Sequence, residues 1–266
     1  MLEQLAEVGL PGLAAALGLT FLVWLLSLAR SDASIVDIFW GLGFVVLAWS
    51  YRALGEADSI RSALAPALVT IWGVRLSAYI LWRNHGRGED PRYAAMRRRW
   101  GPRFPLLSLP IVFWLQAVLM WIVAMPLLQV QTADAAWSWL DSLGVALFLT
   151  GFAFEAIGDR QLARFRADPA NAGQVMDQGL WRYTRHPNYF GDATLWWGFG
   201  CLALATPGGA WALVGPALMT VLILRVSGVS LLEEGLRKRR PAYRDYIERT
   251  NAFLPWRPRE PRPGRD

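Results

Sequence analysis

The sequence predicts an all-α, polytopic membrane protein with seven transmembrane helices and a C-terminal amphipathic helix at the membrane surface. Of its 266 residues, 54% are hydrophobic, only 18% are charged and 15 are Trp, which is too apolar for an ordinary soluble domain. The apolar residues form several runs of about the 20 residues that a helix needs to cross a bilayer. Basic residues are concentrated in short segments between those runs, as is typical of cytoplasmic loops.

Seven apolar runs are candidate spans. In chain order they cover residues 10–28, 35–54, 64–81, 107–130, 137–157, 189–205 and 210–226. The first run has no basic segment before it and no small-residue cleavage site close behind it, which indicates a retained helix rather than a signal peptide. We expect residues 1–256 to form a single seven-helix domain and the Pro- and Arg-rich residues 257–266 to be disordered.

The distribution of charge predicts the orientation. Arginines are frequent after the third, fifth and seventh spans, and the positive-inside rule places these three segments in the cytoplasm. The loops 51–62 and 131–136 carry few bases, and Glu3 and Glu7 precede the first span. We therefore expect an integral protein of the bacterial inner membrane with its N-terminus outside and its C-terminus in the cytoplasm. The net charge of +6 is spread over these loops, so it does not indicate nucleic-acid binding.

The segment Gly179-Leu-Trp-Arg-Tyr-Thr-Arg-His-Pro-Asn-Tyr-Phe-Gly-Asp192 is the most informative part of the chain. It places arginines, a histidine, an asparagine and an acid directly before and within an apolar run. Pro187 fits a first helical turn, so a helix is predicted to begin there with Asn188 and Asp192 on one face. We expect that face to line a site rather than contact lipid.

Ionisable residues within apolar runs face a partner or a wet cavity in membrane proteins. Asp37 is one, and it has two interpretations: an N-terminal helix acid stabilised by the helix dipole, or part of a pocket shared with Trp40. Arg75 is another, flanked by Trp72 and Tyr79 on the same helical face, and it needs a carboxylate or phosphate partner.

Glu155 and Asp159 are spaced one helical turn apart, and Arg166 lies two turns beyond Asp159. They form either an ordinary charged face of a helix leaving the membrane or a polar cleft open to the cytosol. In the second case the acids accept hydrogen bonds from ribose hydroxyls or an amide, and Arg166 meets a phosphate.

The loop Trp82-Arg-Asn-His-Gly-Arg-Gly-Glu-Asp-Pro-Arg-Tyr93 sets two glycines around Arg87, a composition that allows a backbone to approach an anion. No G-x-G-x-x-G or G-x-S-x-G motif occurs, so neither a Rossmann domain nor a serine hydrolase is predicted. Two histidines and a single cysteine, Cys201, are too few for a convincing metal site, and one cysteine excludes an intramolecular disulfide.

Together with Ser34-Ile-Val-Asp-Ile-Phe-Trp-Gly41, these segments resemble the membrane steroid 5α-reductase superfamily, in its bacterial branch. The resemblance covers nearly the whole chain. It implies a seven-helix enzyme that takes NADPH from the cytosol and reduces the C4–C5 double bond of a 3-oxo-Δ4 steroid or a similar lipophilic enone. At the segment from Gly179 to Asp192, isoprenylcysteine carboxyl methyltransferases and sterol C14/C7 reductases look similar too.

The resemblance also implies roles for individual residues. Asp37 corresponds to a Gln-Glu pair that holds the substrate carbonyl, and Trp72 stands where the animal enzymes have a catalytic Tyr. Asn188 and Asp192 match an Asn and a Glu at the nicotinamide end, whereas Glu155 stands where the animal enzymes have Asn. The implied catalytic residues are Asp37, Trp72 and Tyr79, and the implied substrate contacts are Asp37, Trp40, Trp72, Arg75 and Trp196. The implied cofactor contacts are Arg87, Glu155, Asp159, Arg166, Tyr183, His186, Asn188, Asp192, Arg225, Glu234 and Tyr246.

Reduction of an enone requires stabilisation of the negative charge that develops on its carbonyl oxygen. A protonated Asp37, or the indole N–H of Trp40 or Trp72, can donate a hydrogen bond there. We expect the implied substrate contacts and the implied cofactor contacts to line one chamber that admits the coenzyme from the cytosol and the enone from the lipid. The rival enzyme is a methyltransferase that uses S-adenosylmethionine, and a non-enzymatic alternative is a lipid-binding or transport protein.

Overall fold

The computed structural model describes residues 2–226 and 242–259, and every regular element in this part of the chain is helical. The main helices are α1 (Leu2–Arg30), α2 (Ile35–Leu54), α3 (Ile60–Asn84), α4 (Pro91–Val123), α5 (Met125–Thr132), α6 (Trp139–Ala167), α7 (Pro187–Leu204), α8 (Gly209–Val226) and α9 (Ala242–Arg249). Two short 3₁₀ turns, Pro169–Asn171 and Gly179–Arg182, lie between α6 and α7. The all-α prediction is confirmed.

Among the described residues, six helices are long and apolar enough to cross a membrane: α1, α2, α3, α4, α6 and α8. Helix α7 is not one of them, although it has 18 residues, because Asn188, Asp192 and two tryptophans make it less apolar. The seven-span count is therefore not confirmed. Of the predicted surface helix at residues 231–250, only α9 is described, and residues 227–241 lie outside the described part of the chain.

Polar caps decide where several helices begin. Helix α3 starts before its apolar run because the Ser59 side chain accepts a hydrogen bond from the N–H of Ser62. The fourth predicted span, 107–130, differs from the observed helix at both ends. Helix α4 begins at Pro91, capped by Asp90, and its first turns are arginine-rich and therefore invisible to a search for apolar runs. It ends at Val123, and α5 follows as a separate helix with a proline in its first turn.

Backbone contacts divide the chain into two compact units. The first comprises residues 1–141 and 202–215, and the second comprises residues 142–201 with the described residues from 216 onward. In the first unit, α2 and α3 approach so closely that a Cβ on Gly41 would lie 2.4 Å from the carbonyl oxygen of Gly73. One turn further on, the ring of Phe44 meets Trp72 edge-on at 5.5 Å. This close packing fixes α2, whose first turn carries Asp37.

A buried ion pair in the first unit joins the start of α3 to the start of α6. Arg61 Nε donates to Asp141 Oδ1 at 2.6 Å and Arg61 Nη2 donates to Oδ2 at 2.8 Å. Both side chains are almost fully buried. The Asp141 carboxylate also accepts hydrogen bonds from the backbone N–H and the hydroxyl of Ser138, so both of its oxygens have hydrogen-bond partners. A bidentate pair of this kind ties two helices together at one defined register.

In the second unit, glycines let α6 and α7 pack backbone against backbone. A Cβ on Gly191 would lie 2.5 Å from both the carbonyl oxygen of Gly151 and the backbone nitrogen of Glu155. Two turns along, a Cβ on Gly198 would lie 2.6 Å from the carbonyl oxygen of Gly144. Small residues at such a seam allow the close approach typical of membrane helix pairs. The seam sets the register between α6 and α7, and hence between the polar residues that each helix carries.

Candidate functional site

Asp37 is the centre of a polar cluster in the first unit. Its Oδ1 accepts a hydrogen bond from the Tyr93 hydroxyl at 2.8 Å, and its Oδ2 accepts one from Arg92 at 3.0 Å. The Gln116 side chain in turn donates to the Tyr93 hydroxyl oxygen at 3.3 Å. Tyr93 itself is buried. The cluster therefore offers a hydroxyl and a guanidinium as hydrogen-bond donors around one acid.

The loop between α3 and α4 holds this cluster in place. Glu89 accepts the backbone N–H of Ala33 at 2.8 Å and a two-pronged contact from Arg97 at 2.8 and 3.0 Å. It thereby fastens the turn before α2 to the start of α4. Burial by itself raises the pKa of the Glu89 carboxyl, but the hydrogen bonds from Arg97 and Ala33 outweigh it and hold that pKa below its ordinary value. Glu89 is thus an ionised tether that sets Tyr93 opposite Asp37.

Asp90 caps α4 and also contacts the cluster. It accepts from the backbone N–H and from the guanidinium Nε of Arg92, both at 2.9 Å. Burial again raises the pKa of the Asp90 carboxyl, and the hydrogen bonds from Arg92 lower it below the ordinary value. Arg92 therefore bridges two acids, Asp37 and Asp90. Its position is fixed from both sides.

Sequence reasoning missed Arg92, Tyr93 and Gln116. Arg92 and Tyr93 lie at the end of the segment that begins at Trp82, in which the glycines around Arg87 indicated an anion-binding loop. The contact with Asp37 spans 55 or 56 positions of the chain, and no periodicity in the sequence reports such a separation. The available signal is local: Asp90 and Pro91 form a typical helix start, which makes Tyr93 a first-turn residue rather than part of a loop.

The aromatic residues predicted for the substrate side pack along α2 and α3. Trp40 meets Phe44 edge-on at 5.3 Å, Phe44 meets Trp72, and Trp72 is fully buried. The guanidinium of Arg75 lies 5.3 Å from the centre of the Tyr79 ring. The structure therefore brings Trp40 and Trp72 to one aromatic row, and it places Arg75 beside Tyr79. Their roles in binding and catalysis stay predictions.

Asp159 and Asn188 meet in the second unit. The Asn188 amide donates to Asp159 Oδ1 at 3.2 Å, which joins α6 to the first turn of α7. Glu155 and Asp159 are both buried, with 3% and 4% of their surface exposed. Helix α7 begins at Pro187, so the predicted start and the shared face of Asn188 and Asp192 are confirmed. Two buried carboxylates on α6 and an amide on α7 thus lie close together on facing helices.

The turn before α7 is fastened to α6 at two points. The Trp181 indole donates to the carbonyl of Gly158 at 3.0 Å, and Gln161 accepts the backbone N–H of Leu180 at 3.0 Å. Gly179 has a φ of 58°, a left-handed conformation that favours glycine. A Cβ there would also lie 2.4 Å from the Gln161 amide, which would have to move. The positive φ of this turn therefore explains why the predicted segment begins with a glycine.

The same turn is tied to the C-terminal segment. Arg185, buried, donates through its guanidinium to the carbonyls of Ile247 and Thr250 at the end of α9, and its N–H donates to the carbonyl of Asn251. Tyr246, a predicted cofactor contact, is buried and donates its hydroxyl to the carbonyl of Trp181. These hydrogen bonds satisfy helix-end carbonyls that would otherwise lack partners.

The remaining predicted site residues differ in exposure. His186 is buried and stacks on Tyr189 at 5.5 Å, whereas Tyr183 is 43% exposed. Trp196 is fully buried and packs against Phe199 at 5.3 Å. Three arginines predicted to contact the cofactor are exposed: Arg87, Arg166 and Arg225. Glu234 lies outside the described residues. The expectation that both sets line one chamber concerns the two units together, and it stays a prediction.

Comparison with known proteins identifies a family. Residues 23–250 match the family model described as a protein of unknown function, DUF1295. An uncharacterised protein of Schizosaccharomyces pombe is 24% identical over 273 aligned positions, which cover 88% of this chain and 75% of the yeast protein. No solved structure matches the chain. The chain therefore belongs to the DUF1295 family, which is related to steroid 5α-reductase-like membrane proteins.

Proposed function

We propose that this protein is an integral membrane reductase that uses NADPH to reduce the carbon–carbon double bond of a lipophilic enone, such as a 3-oxo-Δ4 steroid. The proposal includes a seventh span formed by α7 and a C-terminus in the cytoplasm of a bacterial cell. The observation that carries it is the pair of buried acids on α6, Glu155 and Asp159, with Asn188 of α7 hydrogen-bonded to Asp159. Buried acids within a membrane protein are costly, and they mark functional sites by default.

The residues of this group suit a dinucleotide. Carboxylates accept hydrogen bonds from ribose hydroxyls and from a carboxamide NH₂, and an amide such as Asn188 both donates and accepts. Arg166 lies two turns beyond Asp159 on the same helix and is exposed, as a phosphate ligand needs to be. NADPH supplies the hydride when it is bound. Asp159 and Asn188, held by the glycine seam, fix the orientation of the nucleoside that carries it.

The cluster around Asp37 suits an enone carbonyl. Hydride addition to the β carbon places negative charge on the carbonyl oxygen, and a preorganised donor stabilises that charge. The Tyr93 hydroxyl and the Arg92 guanidinium are such donors, and both are already held by hydrogen bonds to Asp37. Tyr93 has a single O–H, which points at Asp37. We therefore assign Tyr93 as the residue that turns this hydrogen from Asp37 to the substrate oxygen, while Gln116 holds the phenol oxygen and Arg92 stays on Asp37. A proton from water completes the reduction at the α carbon.

The test is turnover by the purified full chain in mild detergent with NADPH and testosterone or progesterone. The 5α and 5β products are resolved by chromatography, and loss of NADPH is followed by absorbance. Asp159→Asn keeps the size of the side chain and removes the carboxylate, so we expect the KM for NADPH to rise. Asp58→Asn is the matched control, because the Asp58 side chain is 94% exposed.

The alternatives give different results in the same experiment. A methyltransferase copurifies with or binds S-adenosylmethionine and leaves NADPH unconsumed, and a lipid-binding or transport protein binds neither nucleotide. Absence of enone reduction with any of several 3-oxo-Δ4 steroids, combined with no binding of NADPH, refutes the proposal.

A further inference from the structure

A basic groove lies in the second unit between the turn before α7 and the C-terminal segment. It has a volume of about 790 Å³. Its walls carry four arginines and one acid: Arg182, Arg249, Arg257, Arg259 and Asp177. Of these four arginines, Arg249 pairs with Asp177 at 3.4 Å. The guanidinium groups of the other three form no ion pair with a described residue. A concave surface with such an excess of positive charge is complementary to an anion.

An apolar cleft adjoins the groove. It has a volume of about 490 Å³ and is lined by Phe154, Leu180, Tyr183, Pro255, Trp256 and Arg257. Tyr183 and Arg257 line both cavities, so the polar and apolar parts lie side by side. Phe154 belongs to α6, one of the candidate spans, and Trp256 is 72% exposed. Tryptophan in such a position is typical of the interface between lipid and water.

Hydrogen bonds join the backbone segments that form these walls. Thr184 donates to the carbonyl of Phe253 at 2.8 Å, the N–H of Trp256 donates to the carbonyl of Tyr183 at 2.9 Å, and the N–H of Arg259 donates to the carbonyl of Arg249 at 2.8 Å. The backbone segments that carry the arginines are therefore tied to one another. Both volumes fall in the range of roughly 300–1,000 Å³ that is common for small-ligand sites.

We propose that the groove and the cleft together bind one anionic phospholipid, with its phosphate among the arginines and an acyl chain against Tyr183 and Trp256. A soluble phosphate compound uses the groove but has no use for the apolar cleft. A zwitterionic phospholipid fits the cleft, but its positive headgroup opposes the arginines. An anionic phospholipid matches both halves. Bound there, it anchors the C-terminal segment at the membrane surface.

The test uses the purified full chain in nanodiscs, either of phosphatidylcholine alone or with phosphatidylglycerol, and native mass spectrometry of lipids that remain bound after transfer to detergent. We expect selective retention of phosphatidylglycerol, lost at high salt because ions screen exposed charges. The triple variant Arg182→Ala, Arg257→Ala, Arg259→Ala should bind phosphatidylglycerol about a hundredfold more weakly. Each basic residue near an anionic surface contributes about 1 kcal/mol of binding free energy, and three such losses correspond to a factor of about a hundred.

The control is a second triple variant, Arg98→Ala, Arg99→Ala, Arg103→Ala, which removes the same charge from exposed positions elsewhere. Equal losses in both triple variants mean nonspecific attraction and overturn the proposal. Trp256→Ala separately tests the apolar half and should lower retention without removing an arginine. A groove occupied by NADP or inorganic phosphate in preference to phosphatidylglycerol, with both lost in the first triple variant, also overturns it. Enone reduction is measured in parallel, so failure here leaves the proposed activity standing.

Discussion

The glycine seam between α6 and α7 makes a sharp prediction because backbone, not side chains, fills the space beside it. In Gly191→Ala the new Cβ meets Gly151 oxygen and Glu155 nitrogen at 2.5 Å, whereas ordinary contacts begin near 3.4 Å. No rotamer relieves this, so the helices must separate by about 1 Å, and overpacking of this kind costs about 1–3 kcal/mol. The gain in helix propensity from Gly to Ala returns at most about 1 kcal/mol.

Two control variants isolate the effect. Gly18→Ala in α1 introduces a Cβ with nothing within 4 Å, so the same change should leave stability unchanged or raise it slightly. Gly198→Ala strains the seam two turns further from Asn188, with contacts of 2.6 and 2.9 Å, and should lower stability with less effect on NADPH. The unfolding midpoint in detergent reports stability. Equal midpoints for Gly191→Ala and Gly18→Ala would mean that the backbone contacts at Gly191 do not limit how closely α6 and α7 pack.

The seam also predicts a functional effect. Gly191 lies one turn after Asn188, so separation of the helices draws the Asn188 amide away from Asp159. A lost hydrogen bond of about 0.5–1.5 kcal/mol corresponds to a weakening of up to about tenfold in NADPH affinity. Quenching of tryptophan fluorescence on titration with NADPH measures this affinity. If Gly191→Ala is destabilised but binds NADPH with unchanged affinity, the packing of α6 against α7 does not determine NADPH binding.

Three further outcomes are expected. Arg61→Met leaves the buried Asp141 carboxylate without its ion-pair partner and should cost about 3–5 kcal/mol, measured as a lower unfolding midpoint; a loss below 1 kcal/mol, typical of exposed pairs, contradicts this. Glu89 has a pKa below its ordinary 4.5, so its stabilisation is present above that pH and is lost as the pH falls through the folded-state value. Glu89→Gln should therefore lower stability at neutral pH and flatten the acid limb of the midpoint profile, and an unchanged acid limb speaks against the tether to Arg97. Tyr93→Phe should lower kcat roughly 10²- to 10³-fold, the scale of one oxyanion donor, and keep NADPH affinity, and full turnover excludes Tyr93 as the donor.

Local patterns predicted much of this architecture. Apolar runs located every candidate span, and both ends of α2 agree with the sequence. Pro187 marked the start of α7 because proline fits a first turn, and that placed Asn188 and Asp192 correctly on one face. Where polar residues are helical, the same method fails: the arginine-rich start of α4 has no apolar run to reveal it.

Contacts between distant segments could not be read from the sequence. Asp37 meets Tyr93 and Arg61 meets Asp141 across 56 and 80 positions, and both depend on which helices pack together. Composition gave no sign of the Arg61–Asp141 pair, because the loop 51–62 carries few bases and nothing in it indicates that Arg61 is buried. Pairing between distant residues depends on tertiary packing, whereas helix starts and apolar faces depend on residues that are close in the sequence.

We propose that the buried acids of α6 and Asn188 of α7 hold a reduced pyridine dinucleotide. The decisive experiment is equilibrium binding of NADPH to the purified chain, compared between wild type, Asp159→Asn and the exposed control Asp58→Asn. We predict saturable binding that weakens at least tenfold in Asp159→Asn, is unchanged in Asp58→Asn and is not displaced by S-adenosylmethionine. NADPH affinity that is absent in wild type, or equal in all three proteins, contradicts the claim.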